Sequence, residues 1–422
     1  MELCRRVGCA VVDIHPYSAG KAEAREGGVE LSDKDLLEQI DGHLASPSLS
    51  WLLGAGVSFS AKIPLMYPLT ARVLKMLEDG SSASFDLVES IKGELPDKCH
   101  VEHLLSHLGD YSALAERSKD GQVMIGGKAV SRADLDAAHR ELVMAIAETV
   151  RWGFVESPEE IGTSGASIVE IDEHRAFIDV CFRTARAGLH ERRGPLRFFT
   201  TNYDTLLEDA LALGCVPYWD GFEGGAVAFR SHRLGAAEPP VGVPAHVVKL
   251  HGSIDWHLGE QDGRVWRVRF GDRYPQNGPR VLIHPQSTKY LAAQRDPFAA
   301  QFDLFRRVLA GNNDNVLAVC GYSFGDDHIN EEIELAMSRQ SSKTTLLAFA
   351  REDDVGGKPQ MPAALDRWRK EQWGKRIYVA TQRGLHVGPD GPHFEDASKT
   401  LDWWTFKGVT QVLRDGAGSF FP

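Results

Sequence analysis

The chain has no cysteine pair of the C-x-x-C kind. Its six cysteines, Cys4, Cys9, Cys99, Cys181, Cys215 and Cys320, are scattered over 422 residues. That spacing excludes a zinc ribbon, and a disulfide scaffold does not suit a chain of this size. It points to a reducing, cytoplasmic compartment. No run approaches the roughly 18 apolar residues of a membrane span. The short apolar patch in MELCRRVGCAVVDIHP is soon broken by Asp13 and His15, so no secretory signal is expected. Positive charge is scarce, with 47 Lys and Arg against 59 Asp and Glu, a net charge of −12. That balance argues against strong direct binding to nucleic acid. No P-loop and no G-x-S-x-G nucleophile elbow is present.

What remains is an ordinary globular composition, 43% apolar and 25% charged. The length allows two or three domains. Residues 1–49 read as an N-terminal extension, with a helix in SDKDLLEQIDGHL capped by Ser32 and Asp35. Trp51-Leu52-Leu53 reads as a strand, and Pro64 to Asp79 as a helix with Leu69, Val73, Met76 and Leu77 on one stripe. Helical spacing then runs through 84–190, with one possible hairpin at Gln122–Val130; this is an inserted helical subdomain. From 196 strands and helices alternate. Strands are expected at Leu196–Thr200, His246–Leu250, Trp266–Phe270, Val281–His284, Asn315–Cys320, Thr344–Ala350 and Arg376–Ala380. Helices are expected at Tyr203–Leu213, Pro297–Ala310 and Asp327–Ser338. The Gly- and Pro-rich stretch 214–245 reads as irregular. The fold class is α/β, a Rossmann-like parallel sheet over 50–83 and 191–385, with a C-terminal helical segment at 386–422.

Four polar signatures follow apolar, strand-like runs. They are Gly54-Ala55-Gly56-Val57-Ser58, Thr201-Asn202-Tyr203-Asp204, Lys249-Leu250-His251-Gly252-Ser253 and Gly321-Tyr322-Ser323-Phe324-Gly325-Asp326. Ligands of open parallel sheets bind beyond the carboxyl ends of the strands, so four such loops predict one cleft. Glycines let backbone amides approach a phosphate. Phe59 stands where the dinucleotide fingerprint has its third glycine, and Glu78 and Asp79 are badly placed for a ribose acid, so a dehydrogenase fits poorly. A tight packing turn is the competing reading of that loop. Asn202 offers donors and an acceptor in one plane. Asp204 can accept from an amide or cap a helix. His251 can act as a general base. Of the 16 histidines it is preferred over His257, His284 and His328, because it lies where a strand ends and glycine follows. His284 is its closest rival. Asp326 or Asp327 can cap the helix that follows. Cys99-His100-Val101-Glu102-His103 has metal-like spacing but lacks further ligands.

Taken in order, GAGVS, TNYD, KLHGS and GYSFGDDHIN resemble the sirtuin-like domain of bacterial anti-phage NADases, over about residues 48–350. The resemblance implies NAD+ as substrate. It implies catalytic roles for Asn202 and His251, and a place for Asp204 in the nicotinamide pocket. Gly54, Ala55, Gly56 and Ser58 would cover the phosphates. Thr201, Gly321, Ser323 and Phe324 would complete the binding site. Sirtuin deacylases carry Gly-Ile-Pro-x-Phe-Arg after the glycine loop; here the segment is Lys62-Ile63-Pro64-Leu65-Met66-Tyr67. The zinc cysteine pairs are also missing. Both departures favour NAD+ hydrolysis over deacylation and imply no metal. Relatives of this kind oligomerise, and some act beside a HerA-type ATPase. A silent NAD or ADP-ribose sensor regulating a partner ATPase or nuclease, and an ADP-ribosyl or acyl transferase, are the alternatives.

Overall fold

A computed structural model of the protein describes residues 32–80, 82–184, 194–236, 238–259, 263–269, 280–282, 296–311, 314–396 and 398–421, with the backbone alone at 280–282. The strands of the first half are β1 (Leu49–Leu53), β2 (Gln122–Ile125), β3 (Lys128–Ser131), β4 (Phe154–Val155), β5 (Glu160–Ile161), β6 (Leu196–Thr200) and β7 (Tyr218–Trp219). Next come β8 (Phe222–Gly224), β9 (Val227–Arg230), β10 (Ala245–Lys249), β11 (Gly252–Leu258), β12 (Val265–Val268) and β13 (Arg280–Leu282). The last are β14 (Val316–Cys320), β15 (Thr345–Phe349), β16 (Asp353–Val355), β17 (Lys358–Gln360), β18 (Ile377–Thr381), β19 (Gly384–Val387) and β20 (Asp390–His393). Nine of them form the central sheet, in the order β20-β19-β18-β15-β14-β1-β6-β10-β7. From β18 to β7 every pairing is parallel; β19 and β20 add an antiparallel edge. This is the Rossmann-like α/β fold expected from the alternating pattern.

The sheet is buried on both faces, which is why its strands read as continuous apolar runs. Successive side chains point to opposite faces. Phe199, Leu52, Val248 and Val319 join one cluster, under the helices Phe298–Leu309 and Asp327–Ser338. Phe198, Trp51, Val247 and Cys320 join the other. That second face is covered by α1 (Asp33–Leu44), α6 (Asp172–Asp179), α7 (Leu206–Leu213) and the helix Phe406–Asp415. Burying each Phe contributes about 1.5–3 kcal/mol. The expected box at the start of α1 is present, with Ser32 and Asp35 bonded reciprocally.

Between β1 and β6 lie α2 (Met66–Asp79), α3 (Phe85–Lys92), α4 (Val101–Arg117) and α5 (Arg132–Trp152), with the β2–β3 hairpin. Ser131 and Asp134 cap α5, and Gly153, at φ +88°, ends it. Leu69, Val73 and Leu77 of α2 pack with Leu104, Leu105, Leu142 and Ile146 in a third core. The inserted helices therefore share one apolar cluster with the helix that follows the glycine loop. Among the described residues no helix is long and apolar enough to cross a membrane.

Three expectations change. The stretch 214–245 is not irregular: it holds β7, β8 and β9, strands of two to four residues that are too short to display a period of two. The strand at Trp266–Phe270 is β12, and it belongs to a separate antiparallel sheet, β13-β11-β12-β9-β8. The C-terminal part is not wholly helical, because β19 and β20 form a hairpin on the central sheet before the last α-helix. His284 lies outside the described residues.

Candidate functional site

The sheet register sets the site. Leu53 pairs with Cys320 on one side and Thr200 on the other, and Thr200 pairs with Lys249. These four residues end β14, β1, β6 and β10, which are neighbours in the sheet. All four signatures therefore leave the sheet at one level. Adjacent strands lie about 4.8 Å apart. Asn202 and His251 each stand two residues beyond the paired Thr200 and Lys249. The strand order reverses between β1 and β14, the place where open α/β sheets bind ligands.

At that reversal the two glycine loops close on each other. Gly54 N–H donates to the Cys320 carbonyl at 3.0 Å and Gly56 N–H to that of Gly321 at 2.8 Å. A Cβ on Gly54 would lie 2.5 Å from the Tyr322 Cα, and one on Gly56 2.7 Å from the Gly321 Cα. Gly321 itself has φ +67°. The packing reading of this loop is thus realised: Gly54 and Gly56 spend their amides on the chain. Ala55 and Gly56 remain exposed at the surface of the loop.

Ser58, expected over the phosphates, is turned inward. It is buried, donates to Asp204 Oδ2 at 2.7 Å, and accepts from Asn202 Nδ2 at 2.9 Å. Asp204 Oδ1 also accepts from the Leu206 N–H at 3.0 Å, meeting the first amide of α7, whose N-cap is Thr205; the helix starts three residues later than expected. Asn202 Oδ1 is buried without a hydrogen-bond partner. Thr201 N–H donates to the Leu53 carbonyl at 3.1 Å, tying this loop to β1. Tyr203 O–H donates to Glu102 Oε1 on α4 at 3.1 Å. Burial, then the Glu102 carboxylate, pushes the Tyr203 phenol well above its ordinary value.

His251 is buried, and its Nε2 lies 3.0 Å from Nε2 of His328. His328 stands in the first turn of the helix Asp327–Ser338. Donor atoms of His251, Asp326 and His328 all lie within 4.8 Å of one another. Asp326 occupies the N-cap position without a side-chain cap bond. Among the described residues the run Cys99–His103 forms no such group; His100 caps α4, and its N–H meets His103 Nδ1 at 3.2 Å. Ser323 is exposed, its Oγ accepting from the Gly325 N–H at 3.3 Å. Phe324, expected to help complete the binding site, is buried in the core beside Tyr322 and Trp368. Its φ of +57° is costly for a residue other than glycine. Asn330 Nδ2 holds it there, donating to the Phe324 carbonyl at 2.8 Å.

Lys249 is a support that the sequence did not single out. Its buried ammonium pairs with Glu208 Oε1 at 3.2 Å and donates to the Asp204 carbonyl. Burial raises the Glu208 carboxyl above its ordinary range, against the pull of Lys249. A cavity of 410 Å³ opens on the insert side of Asp204, lined by Ile63, Arg151, Trp152, Thr205, Asp255 and Arg269 among others. Of the expected site residues, Asp204 alone lines it. Burial works against the charge of Arg269, and Asp255 and Asp209 outweigh it, raising that group above its usual range. None of these wall residues belongs to the four signatures except Asp204 and its loop, so no spacing in the sequence marks them.

Residues 196–377 match the family model of the SIR2-like domain. The match takes in the TNYD, KLHGS and GYSFGDDHIN loops and leaves out β1 with its glycine loop. The match supports a sirtuin-like domain over these residues. No curated protein matches the chain.

Proposed function

We propose that the chain is an NAD+ hydrolase, releasing nicotinamide and ADP-ribose. The observation that carries this reading is the row Cys320–Leu53–Thr200–Lys249, which sets Asn202 and His251 beyond adjacent parallel strands. The buried, unpartnered Oδ1 of Asn202 supports it further, since a ribose hydroxyl or an attacking water would satisfy that acceptor. Exposed Ala55, Gly56 and Ser323 offer small surfaces for the rest of the dinucleotide.

The reaction needs a leaving group, a nucleophile and a base. Nicotinamide leaves readily because its ring nitrogen is cationic in NAD+. Water bonds to the anomeric carbon as the glycosidic electron pair departs with nicotinamide. Asn202 orients the water or the ribose, and His251 takes the proton. Asp204 orients Asn202 through Ser58. The resemblance of the four motifs extends the proposal to anti-phage defence by NAD+ depletion, by a homo-oligomer acting with a HerA-type ATPase.

Nicotinamide release from NAD+ by the purified chain, alone and with such an ATPase, tests the reading. His251→Ala and Asn202→Ala are each expected to lower it by about 10²–10⁴-fold, the usual worth of a general base, without loss of the fold. Full activity in both variants overturns the assignment. Tight NAD+ binding without turnover in every condition points to a sensor instead.

A further inference from the structure

We infer that Tyr203 is a positioning residue, through which helix α4 of the inserted subdomain fixes the loop carrying Asn202 and Asp204; the inference rests on the hydrolase reading above. Tyr203 stands between those two residues, and both of its polar groups are held. Its phenol donates to Glu102 Oε1 on α4 at 3.1 Å. Its carbonyl accepts from the Ile254 N–H at 3.0 Å and from Ser253 Oγ at 3.2 Å. Ser253 is fully buried and lies two residues beyond His251. One residue thus joins the insert, the Asn202 loop and the His251 loop.

Apolar packing runs along the same line. Ile63, Leu206 and Ile254, which follow three of the four signatures, belong to the core that the insert helices build, and Tyr203 packs against it. Such contacts are non-directional, so they set how close the insert lies without setting how the loop is turned. A hydrogen bond to a carboxylate is directional and fixes the turn. Burial, then the Glu102 carboxylate, raises the phenol well above its ordinary value, so the donor keeps its proton at neutral pH. Asn202 is the neighbouring residue, and a turn of the loop moves its amide relative to His251. Displacing a positioned group by about 1 Å can cost about 10²-fold in rate. A shift of α4 therefore reaches Asn202 through this bond.

The test compares the parent chain with Tyr203→Phe, Glu102→Ala, Glu102→Gln and the pair Tyr203→Phe with Glu102→Ala. Tyr203→Phe removes one oxygen and keeps the ring in its core. Ser112→Ala is the control. It removes a 2.6 Å bond from Ser112 Oγ to Asp136 Oδ1 between α4 and α5, about 15 Å along α4 from Glu102. Nicotinamide release gives kcat, calorimetry the NAD+ Kd, and hydrogen exchange the protection of the Leu206 and Ile254 amides. Tyr203→Phe and Glu102→Ala are each expected to lower kcat about tenfold at the parental Kd, and the pair to lower it no further. Glu102→Gln keeps an acceptor oxygen and is expected within about threefold of the parent. The two amides should exchange faster in Tyr203→Phe and Glu102→Ala, and at the parental rate in Ser112→Ala. Parental kcat in Tyr203→Phe, multiplying losses in the pair, or an equal loss in Ser112→Ala overturns the inference. A parent that releases no nicotinamide defeats the hydrolase reading, while the exchange rates still decide whether Glu102 fixes the loop.

Discussion

Ser58 Oγ accepts a hydrogen bond from Asn202 Nδ2 at 2.9 Å, across 144 residues of sequence. The direction follows from the third partner. Ser58 has one hydroxyl hydrogen and donates it to Asp204 Oδ2, so it accepts from the amide of Asn202. The relay turns Asn202 so that its donor end is spent and its acceptor end, Oδ1, is left for a ligand.

Ser58→Ala should uncouple the orientation of Asn202 from Asp204. Both partners would lose a buried bond, which costs about 1–3 kcal/mol in stability. Nicotinamide release should fall by more than the folded fraction does, because Asn202 can then rotate. Melting temperature and kcat measured on one preparation separate the two effects. Parental kcat in a stable Ala variant would show that the relay does not orient the amide.

Gly54→Ala places a methyl group 2.5 Å from the Gly321 carbonyl oxygen and the Tyr322 Cα. Both obstacles are backbone, so the two loops must separate. Overpacking of this kind costs about 1–3 kcal/mol. Gly325→Ala is the matched control: its methyl would meet nothing nearer than Ser323 Oγ at 3.3 Å. Denaturation midpoints should order the two variants accordingly, with Gly54→Ala the weaker fold.

Much of this was legible in the sequence because parallel, doubly buried strands announce themselves as apolar runs. Phe198-Phe199 and Val316–Cys320 are plain cases, and the loops that follow them carry the polar residues. The partner of each polar group was not legible. Nothing in the spacing tells Ser58 to face Asn202 rather than a phosphate, since that depends on the 3₁₀ turn Ala55–Ser58 burying Val57 and Ser58. His328 was passed over because it lies inside a helix start, yet the helix aims it at His251. The antiparallel sheet was hidden by strands as short as Phe222–Gly224, and Gly252, at φ +87°, turns the chain into β11 directly after His251.

His232 should make the protein sensitive to mild acid. It is buried with its ring edge-on to Trp219, 5.0 Å between centroids. Burial, with Arg230 and Arg307 nearby, holds its pKa down to about 4, from an ordinary 6.5. The folded state therefore resists a proton that the unfolded chain accepts. The stability this neutral ring contributes is complete above the unfolded value and is lost as pH falls from about 6.5 toward about 4. Below that both states are protonated and the loss stops. His232→Gln should flatten the fall in melting temperature across this window; an unchanged slope would place the acid sensitivity elsewhere.

Lys249 and Glu208 set a different test, because a buried pair is stable only while both members remain. Their side chains are 2% and 7% exposed. Lys249→Met leaves Glu208 buried without its ammonium partner and should cost about 3–5 kcal/mol. Lys249→Met with Glu208→Leu removes both charges and should recover most of that loss in urea denaturation. Activity should not follow stability. Lys249 also holds the Asp204 carbonyl, and so the backbone of the loop that carries Asn202. The double variant should fold well and still release nicotinamide slowly. Recovery of both properties together would show that the ammonium serves the fold alone, and recovery of neither would show that Met and Leu cannot fill the space the pair occupies.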